Sequence, residues 1–327
     1  MLRGFANSDG RLTVIHLRPG PGVERNKHPR RVGRVDRLNS WEREDGTFDD
    51  GLERVPMNRL DNVGAVGLRD MIDFAAAVEP AGQLRLLDRD WEDRVPLTMY
   101  VAGLMVRGPT LREKLDDRAL PSLIEHMRAG LLRAVEEERA TEENVRPLLL
   151  AFDRPGMVRL DPPRNRHQAV LLDLIQTVTA AIGTTHIVAT RRLDHPLLTG
   201  SEPVVVFDKF DLTGGSTCGD LLAAADPPVA LWDERETMLA RVTEILSTTA
   251  GLAWAADRHT VGLFVNPETA EGGKLAYAFS EISSEGLAGL LNIQVAARST
   301  WIAGRAGDPL LEALASAAHA AASKVAY

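Results

Sequence analysis

The chain has 327 residues, of which 44% are hydrophobic and 26% are charged, and its formal net charge is -8. This composition is ordinary for a globular protein and argues against a disordered or fibrous one. The one cysteine, Cys218, excludes an intrachain disulfide and a cysteine-rich zinc cluster, and no apolar run reaches the ~18 residues of a membrane span. The sequence therefore predicts a soluble cytoplasmic protein without a signal peptide and without a membrane partner.

The N-terminal segment predicts a hairpin followed by a loop. Asp9 and Gly10 supply a tight turn, so Arg11–Leu17 is expected to be the second strand of a hairpin whose first strand is 1–6. Residues 18–33 are rich in proline, glycine and charge and predict an exposed loop. Basic residues gather between Glu24 and Arg37, and the absence of interleaved aromatic residues favours a solvated loop over a phosphate-binding strip, so nucleic acid is only weakly indicated.

An acidic segment precedes the first predicted helix. It contains Glu42, Glu44, Asp45, Asp49, Asp50 and Glu53, and Asp61 follows within the helix. Grouped carboxylates can hold Mg²⁺ or Mn²⁺ through their oxygens, but a run of charge more often faces water. A solvated acidic turn is therefore the favoured interpretation from the pattern alone.

The middle of the chain predicts helices. Apolar residues spaced three or four apart predict a helix over Leu52–Val78, another around 97–107 that ends at Gly108 and Pro109, and a third over 167–183. Capping-box spacings at Thr110/Glu113 and Ser122/Glu125 predict two helices after the break.

After residue 183 the sequence changes to short β-branched or apolar runs bounded by turn residues. These runs predict strands of a small mixed or antiparallel sheet. The strands fall at 186–192, 202–208 and 260–266, with a helix over 236–246 between them. Helices are expected over 285–304 and 308–326, the second with Asp308 as N-cap. The whole predicts a single, mainly helical α+β domain over 1–327: hairpin and acidic loop at 1–58, helical middle at 59–183, sheet-containing part at 184–270 and C-terminal helices at 271–327.

A glycine and serine loop precedes the cysteine. Gly214 to Thr217 could present backbone N–H groups to a phosphate, but the Walker lysine is missing, so a turn is the favoured interpretation. Cys218 has no neighbouring histidine in the sequence and is interpreted as structural, with an enzyme that uses this thiol on a small molecule left open.

Five stretches, in this order, resemble the bacterial family of the domain of unknown function 4238, and the resemblance runs from Met1 to about Pro309. They are LRGFANSDGRLTVI, DDGLERVPMNRLDNVGAVGLRDM, YVAGLMVRGPTLRE, HPLLTGSEPVVVF and LLNIQVAARSTWIAG. Members of that family begin with a His-x-x-Val-Pro motif, and the resemblance implies that this segment is missing from the chain. Pro203 stands as in the family, whereas Ser201 stands where an acid is usual.

The resemblance implies a set of polar site residues without an established activity. It maps the paired acidic positions onto Glu53 and Asp61, the arginine onto Arg107 and the asparagine onto Asn292. Such a set could bind a metal and a phosphate. With the histidine missing and Ser201 in place of an acid, it also implies lost ligands and weak or no catalysis.

Two hypotheses follow. The first is a metal-assisted, nuclease-like hydrolase of a phosphodiester or nucleotide. In it Glu53 and Asp61 hold Mg²⁺ or Mn²⁺, Arg107 clamps the phosphate, Ser201 contacts substrate and Asn292 orients it. The second is a non-catalytic binding or partner-interaction protein, in which Arg107 pairs with Glu53 and the polar residues hold the fold together. A buried pair with no adjacent cavity would favour the second.

Overall fold

A computed structural model of the chain describes residues 2–18, 22–32, 41–43, 45–77, 85–87, 90–154, 164–191, 196–207, 215–225, 235–266, 284–314 and 316. The helices are α1 (Asn58–Ala76), α2 (Trp91–Val106), α3 (Pro109–Glu136), α4 (Glu142–Phe152), α5 (Arg164–Gly183), α6 (Cys218–Ala224), α7 (Arg235–Ser247) and α8 (Ser284–Arg298). A last helical segment covers 309–314. Within this part of the chain no helix is both long and apolar enough to cross a membrane.

The strands form three antiparallel sheets. They are β1 (Leu12–His16), β2 (Gly22–Lys27), β3 (Trp41–Glu42), β4 (Phe48–Asp49), β5 (Arg85–Leu86), β6 (His186–Arg191), β7 (Thr199–Gly200), β8 (Val204–Phe207), β9 (Gly215–Ser216), β10 (Gly251–Ala255), β11 (Thr260–Val265) and β12 (Trp301–Arg305). The six-stranded sheet has the order β5-β6-β11-β10-β8-β9, the four-stranded sheet the order β2-β1-β12-β7, and β3 and β4 form a ribbon. The predicted α+β class, mainly helical with antiparallel sheets, is confirmed.

The central strands of the six-stranded sheet, β8, β10 and β11, are buried on both faces. Successive side chains along each strand point alternately into two separate cores. On β8, Val204 and Val206 face a helical core built with α1, α2, α5, α6 and α7. Val205 and Phe207 face an inter-sheet core, closed by the four-stranded sheet and α8. The strand runs are apolar rather than alternating because both of these faces exclude water.

Trp254 on β10 is the largest of the fully buried side chains in the described ranges and lies in the helical core. Its ring stacks on Phe264 of the neighbouring strand, with 5.0 Å between centroids. The opposite residue in the register is Gly262, where a Cβ would fall 2.2 Å from the indole. Glycine is therefore required at position 262, because the indole occupies the space of a side chain.

The predicted N-terminal hairpin is wrong. The turn forms, since Asn7 Oδ1 accepts from the Asp9 and Arg11 N–H groups, but Leu2–Phe5 is a 3₁₀ helix. Strand β1 instead pairs with β12 and with β2, which lies in the segment predicted to be a loop. A turn signal fixes only the local chain reversal, whereas the partner of a strand is decided by tertiary packing.

Two helix predictions also need correction. A single helix, α3, replaces the predicted pair and contains Pro121, because capping-box spacing also occurs between neighbouring positions of a continuous helix. Its N-cap is Gly108, and Thr110 lies inside it. The helix predicted over 285–304 ends at Arg298, and its last residues form β12. The helices at 58–76, 91–106, 164–183 and 235–247, and the Asp308 cap, agree with the prediction.

A helical hairpin made of 124–152, here called the arm, contributes almost nothing to either core. It contains the C-terminal half of α3, a turn and α4, and Val145 is its single buried side chain. Arg128 on α3 holds Asp153 after α4 at 2.5 Å, and Glu138 adopts a positive φ of 56° in the turn. The arm is thus helical without being embedded.

Candidate functional site

Arg107 and Asp61, two of the predicted site residues, contact one another. Arg107 caps the C-terminus of α2, its Nε donates to the Gly103 carbonyl at 2.9 Å, and its Nη2 lies 2.9 Å from Asp61 Oδ1 on α1. The arginine side chain is 21% exposed and the aspartate side chain is 52% exposed. A cation is favourable at the end of a helix. The pair therefore ties α1 to α2 at the protein surface.

Tyr100 lies buried beside this pair. Its burial and, secondarily, the charge of Asp61 raise the pKa of the phenol to about 12, with Arg107 acting in the opposite direction. The ring approaches α1 so closely that a Cβ at Gly64 would fall 2.4 Å from it. At neutral pH the phenol is protonated, and it serves the packing of α1 on α2.

The two predicted metal ligands lie on one helical stretch. The Glu53 backbone opens a five-residue π-helical turn, Glu53–Met57, that leads into α1, while its side chain lies outside the described part of the structure. At about 1.5 Å per residue the two Cα atoms are roughly 12 Å apart along the axis. Asp61 already holds a guanidinium. Within the described ranges, no group of three or more His, Cys, Asp or Glu side chains could hold a metal ion.

The acidic segment before α1 is internally bonded. Asp45 accepts hydrogen bonds from the N–H and hydroxyl of Thr47, and Asp49 pairs with Arg43 at 2.8 Å. The Thr47 hydrogen bonds lower the pKa of Asp45, and Arg43 lowers that of Asp49. Both acids are at the surface in turn geometry, in agreement with the solvated turn favoured from the sequence; the side chains of Glu42 and Glu44 lie outside the described residues.

Asn292 uses both ends of its side-chain amide within the fold. It lies on α8 and is 2% exposed. Its Oδ1 accepts from the Leu198 N–H at 2.7 Å, and its Nδ2 donates to the Pro196 carbonyl at 3.1 Å. Because a buried backbone group without a partner is costly, this residue fastens the 196–198 segment onto the helix.

Ser201 is also occupied. Its Oγ accepts from the Thr300 N–H at 2.8 Å and lies 3.1 Å from the Thr300 hydroxyl, while its own N–H donates to the Trp301 carbonyl. These bonds join the turn after β7 to the start of β12. Ser201 therefore holds together the edge of the four-stranded sheet.

The residue after Ser201, Glu202, is the buried carboxylate that sequence reasoning missed. It is 3% exposed, its Oε1 accepts from the Thr110 N–H at 2.7 Å, and its own N–H donates to Ser299 Oγ at 3.1 Å. An N-cap side chain normally satisfies such an N–H near the start of a helix. Here the N-cap is Gly108, where a Cβ would fall 2.2 Å from Glu202 Oε2. Glu202 thus caps α3 from a distant part of the chain.

The environment of Glu202 favours its neutral form. Burial raises its pKa to about 7, and the charges of Asp220 and Glu113 act in the same direction, whereas hydrogen bonds from Thr110 lower it. The α3 N-terminus favours the charged form. Glu202 is consequently a buried acid that titrates close to neutral pH, a property shared by catalytic and structural carboxyl groups.

Cys218 lies next to this acid at the start of α6. It is buried, and burial together with the charge of Glu202 raises the pKa of its thiol to about 12. Since the thiolate is the reactive form, this thiol is suppressed as a nucleophile. The preceding Thr217 accepts from the Asp220 N–H in a capping box, so the described part of the glycine and serine loop forms β9 and a helix cap.

A signal for Glu202 is present in the sequence. The segment LLTGSEPVVVF places one acid inside an otherwise apolar stretch, directly before Pro203. The family resemblance directed the interpretation to Ser201 as a replaced acid, although an acid stands one residue later. Buried acids need partners, so an acid in an apolar run is itself a reason to expect a long-range hydrogen bond.

Of the four predicted positions whose side chains are described, only Arg107 and Asp61 bond to one another. Arg107 and Asp61 meet at the surface, and Arg107 precedes Gly108, the residue packed against Glu202. Ser201 precedes Glu202 on the other side of that contact, and Asn292 binds the 196–198 segment instead. Each of the four predicted residues forms a hydrogen bond or an ion pair that links neighbouring elements of the fold.

A small cavity lies elsewhere, where the C-termini of α5 and α7 meet the six-stranded sheet. Its volume is about 40 Å³, and its lining includes Thr184, Thr185, Ser247 and Thr249. These hydroxyls donate to carbonyls of the last turns of the two helices. A space of this size suits one or two water molecules, and none of the predicted site residues lines it.

No family model, curated protein or solved structure matches this chain. The resemblance to the domain of unknown function 4238 therefore stays a prediction.

Proposed function

We propose that this chain is a non-catalytic partner-interaction protein whose polar residues hold its elements together. The observation that carries this proposal is the position of Arg107, Asp61, Asn292 and Ser201, each of which bonds to another part of the same chain. A catalytic set must instead converge on a space that a substrate can enter.

The Arg107 pair supports this choice over the hydrolase. Arg107 pairs with Asp61, and the side chain of Glu53, the partner expected from the sequence, lies outside the described residues. In the hydrolase hypothesis Asp61 would bind a cation and Arg107 an anion. In the observed geometry the two groups neutralise one another, so the pair offers a ligand less net charge than either group would offer alone.

The arm supplies the contact surface in this proposal. Its two helices carry four large apolar side chains that are 40 to 51% exposed, namely Met127, Leu132, Leu148 and Leu150; other helices carry single ones, such as Val66 on α1 and Ile293 on α8. Exposed apolar patches of soluble proteins often mark interaction sites. We place this role in the cytoplasm, as the single cysteine suggests, and within the bacterial family that the sequence resembles.

The test combines calorimetry with stability measurements on the full chain. Mg²⁺ and Mn²⁺ are titrated into the wild type and into Asp61→Asn, with Asp73→Asn, an exposed acid of the same helix, as matched control. A chromogenic phosphodiester serves as the hydrolysis probe. We expect neither metal binding nor hydrolysis that depends on Asp61.

Asn292→Ala provides the second part of the test. It should lower the free energy of unfolding by about 1–3 kcal/mol, the cost of leaving buried backbone groups unsatisfied. The measurement is urea unfolding followed by circular dichroism. Hydrolysis that is lost in Asn292→Ala or Asp61→Asn while stability is unchanged would overturn the proposal.

The metal-assisted hydrolase of a phosphodiester or nucleotide is the second candidate. One observation favours it: Asp61 is half exposed, so a metal could approach its free oxygen while Arg107 remained at hand for a phosphate. Metal binding abolished by Asp61→Asn but not by Asp73→Asn, accompanied by hydrolysis, would establish this candidate in place of the first.

A further inference from the structure

We infer that the arm binds a basic amphipathic helix of another protein, along the side of the α3/α4 pair that carries Met127, Ala134 and Leu148. The inference rests on the proposed function and names the chemical class of its partner. It stands on the geometry of the two helices and on the distribution of charge around them.

The two sides of the arm differ. At 3.6 residues per turn, or about 100° per residue, the partly buried Ile124, Leu131 and Val135 share the stripe of α3 that faces α4. On α4 the buried Val145 and the partly buried Leu149 and Phe152 form the matching stripe. The arm is thus held together by a narrow apolar seam.

Relative to this seam, Met127 and Ala134 on α3 lie about 60–80° to one side, and Leu148 on antiparallel α4 lies on that same side. Met127 is 40% exposed and Leu148 is 50% exposed. The opposite side is crossed by the Arg128 to Asp153 ion pair. The side with the ion pair therefore carries charge beside the exposed Leu132, whereas the other side presents apolar side chains of both helices in a shallow groove.

The charge at the arm's tip indicates the sign of the partner. Glu136, Glu137, Glu138, Glu142 and Glu143 flank the turn and are exposed, and Arg139, which pairs with Glu137, is the one basic residue among 136–143. A helix that lies in the groove toward the tip meets this cluster. An amphipathic helix can bind such a surface, because its apolar face contacts the groove and its lysine or arginine residues pair with the acidic cluster at the tip.

A labelled peptide tests the inference directly. The probe is a designed basic amphipathic peptide of about 18 residues, five helical turns, with leucine at helical spacing and lysine elsewhere. A peptide of the same composition in scrambled order and an acidic peptide with the same leucines are the controls. Binding to the full chain is followed by fluorescence anisotropy.

We expect the basic amphipathic peptide alone to bind and its affinity to fall with rising salt. Leu148→Asp should weaken binding by at least about tenfold, whereas Leu150→Asp, a matched change on the same helix but away from the groove, should leave it within about twofold. Reversal of the tip with Glu137→Lys and Glu138→Lys should weaken binding and reduce its salt dependence. Circular dichroism checks that each variant stays folded.

Two results would overturn the inference. One is equal binding of the scrambled or acidic peptide, or equal loss in Leu148→Asp and Leu150→Asp. The other is concentration-dependent self-association in sedimentation velocity that Leu148→Asp abolishes, because a second copy would then cover the groove. Either result leaves the metal and hydrolysis assays unaffected, so failure here is distinguishable from failure of the proposed non-catalytic role.

Discussion

The six-stranded sheet with its two cores and the arm bury their apolar side chains to different extents. In the sheet, β8, β10 and β11 are buried along their full length. In the arm, Val145 alone is buried across two helices. Helix formation and burial are therefore separable in this chain: the central sheet strands are buried, and the arm forms its two helices without comparable burial.

The largest effect is expected at the centre of the sheet. Trp254→Ala removes a fully buried indole and its stacking on Phe264, and should destabilise the protein by about 3–5 kcal/mol. Chemical unfolding followed by circular dichroism measures this loss. A change below about 1 kcal/mol would show that the two-core division does not describe where stability lies.

The second effect concerns pH and Glu202. Its pKa is raised from 4.5 to about 7 in the folded protein, so between these values the folded state keeps a proton that the unfolded chain has released. Raising the pH through this window therefore favours unfolding, and this group's contribution to stability is lost as pH passes about 7. At about 1.4 kcal/mol per pKa unit, the loss is on the order of 3 kcal/mol.

Glu202→Gln keeps an oxygen that can accept from Thr110 but does not titrate. The difference in unfolding free energy between wild type and variant should therefore change between pH 4.5 and 8, with the variant gaining on the wild type as pH rises. Asp73→Asn, at the surface of α1, controls for general pH effects. A difference that stays constant with pH would show that Glu202 is ionised throughout.

A smaller effect is expected for the ion pair of Arg107 and Asp61, which is less buried than the central sheet strands. A double-mutant cycle with Arg107→Met and Asp61→Asn should give a coupling below about 1 kcal/mol, because the carboxylate is half exposed and screened by water. Added salt should reduce it. A coupling several times larger would show that the pair behaves as a buried one.

The smallest effect is expected on the arm. Leu150→Ser should change the free energy of unfolding by no more than about 0.5 kcal/mol, since the side chain is already 51% exposed. Thermal unfolding measures it beside Val145→Ser, which removes the arm's one buried side chain and should cost more. Equal losses for the two variants would contradict the picture of an arm that is outside the cores.

Local patterns predicted much of the fold. The apolar stripe of Leu171, Leu174 and Val178 predicted α5, and the runs at 202–208 and 260–266 predicted β8 and β11, because periodicity and β-branched residues act within a few residues. The same logic failed for β12, whose strand state depends on pairing with β1, far away in the sequence. It failed for α3, because capping-box spacing looks alike at a helix start and inside a helix.

The candidate residues were predicted only in part. The sequence identified Arg107 and Asp61 as site residues. It did not predict their direct contact, because Arg107 was expected to form an ion pair with Glu53. Asn292 and Ser201 were identified as polar residues of interest, but a sequence does not reveal that both amide ends of Asn292 meet backbone groups of the 196–198 segment. Glu202 was missed because its partner, the start of α3, lies about 90 residues earlier.

The pairing of β1 with β12 has a consequence for synthesis. Leu12 lies opposite Arg305, so the central pair of the four-stranded sheet joins two segments that are far apart in the sequence. During translation β1 has no β12 to pair with until every residue between the two strands has been synthesised. Until then its apolar residues Leu12, Val14 and Ile15 are exposed to solvent or are buried by contacts other than those of the final sheet. Completion of this layer is therefore a late step, and chains that stop before residue 305 should be substrates for chaperones and proteases.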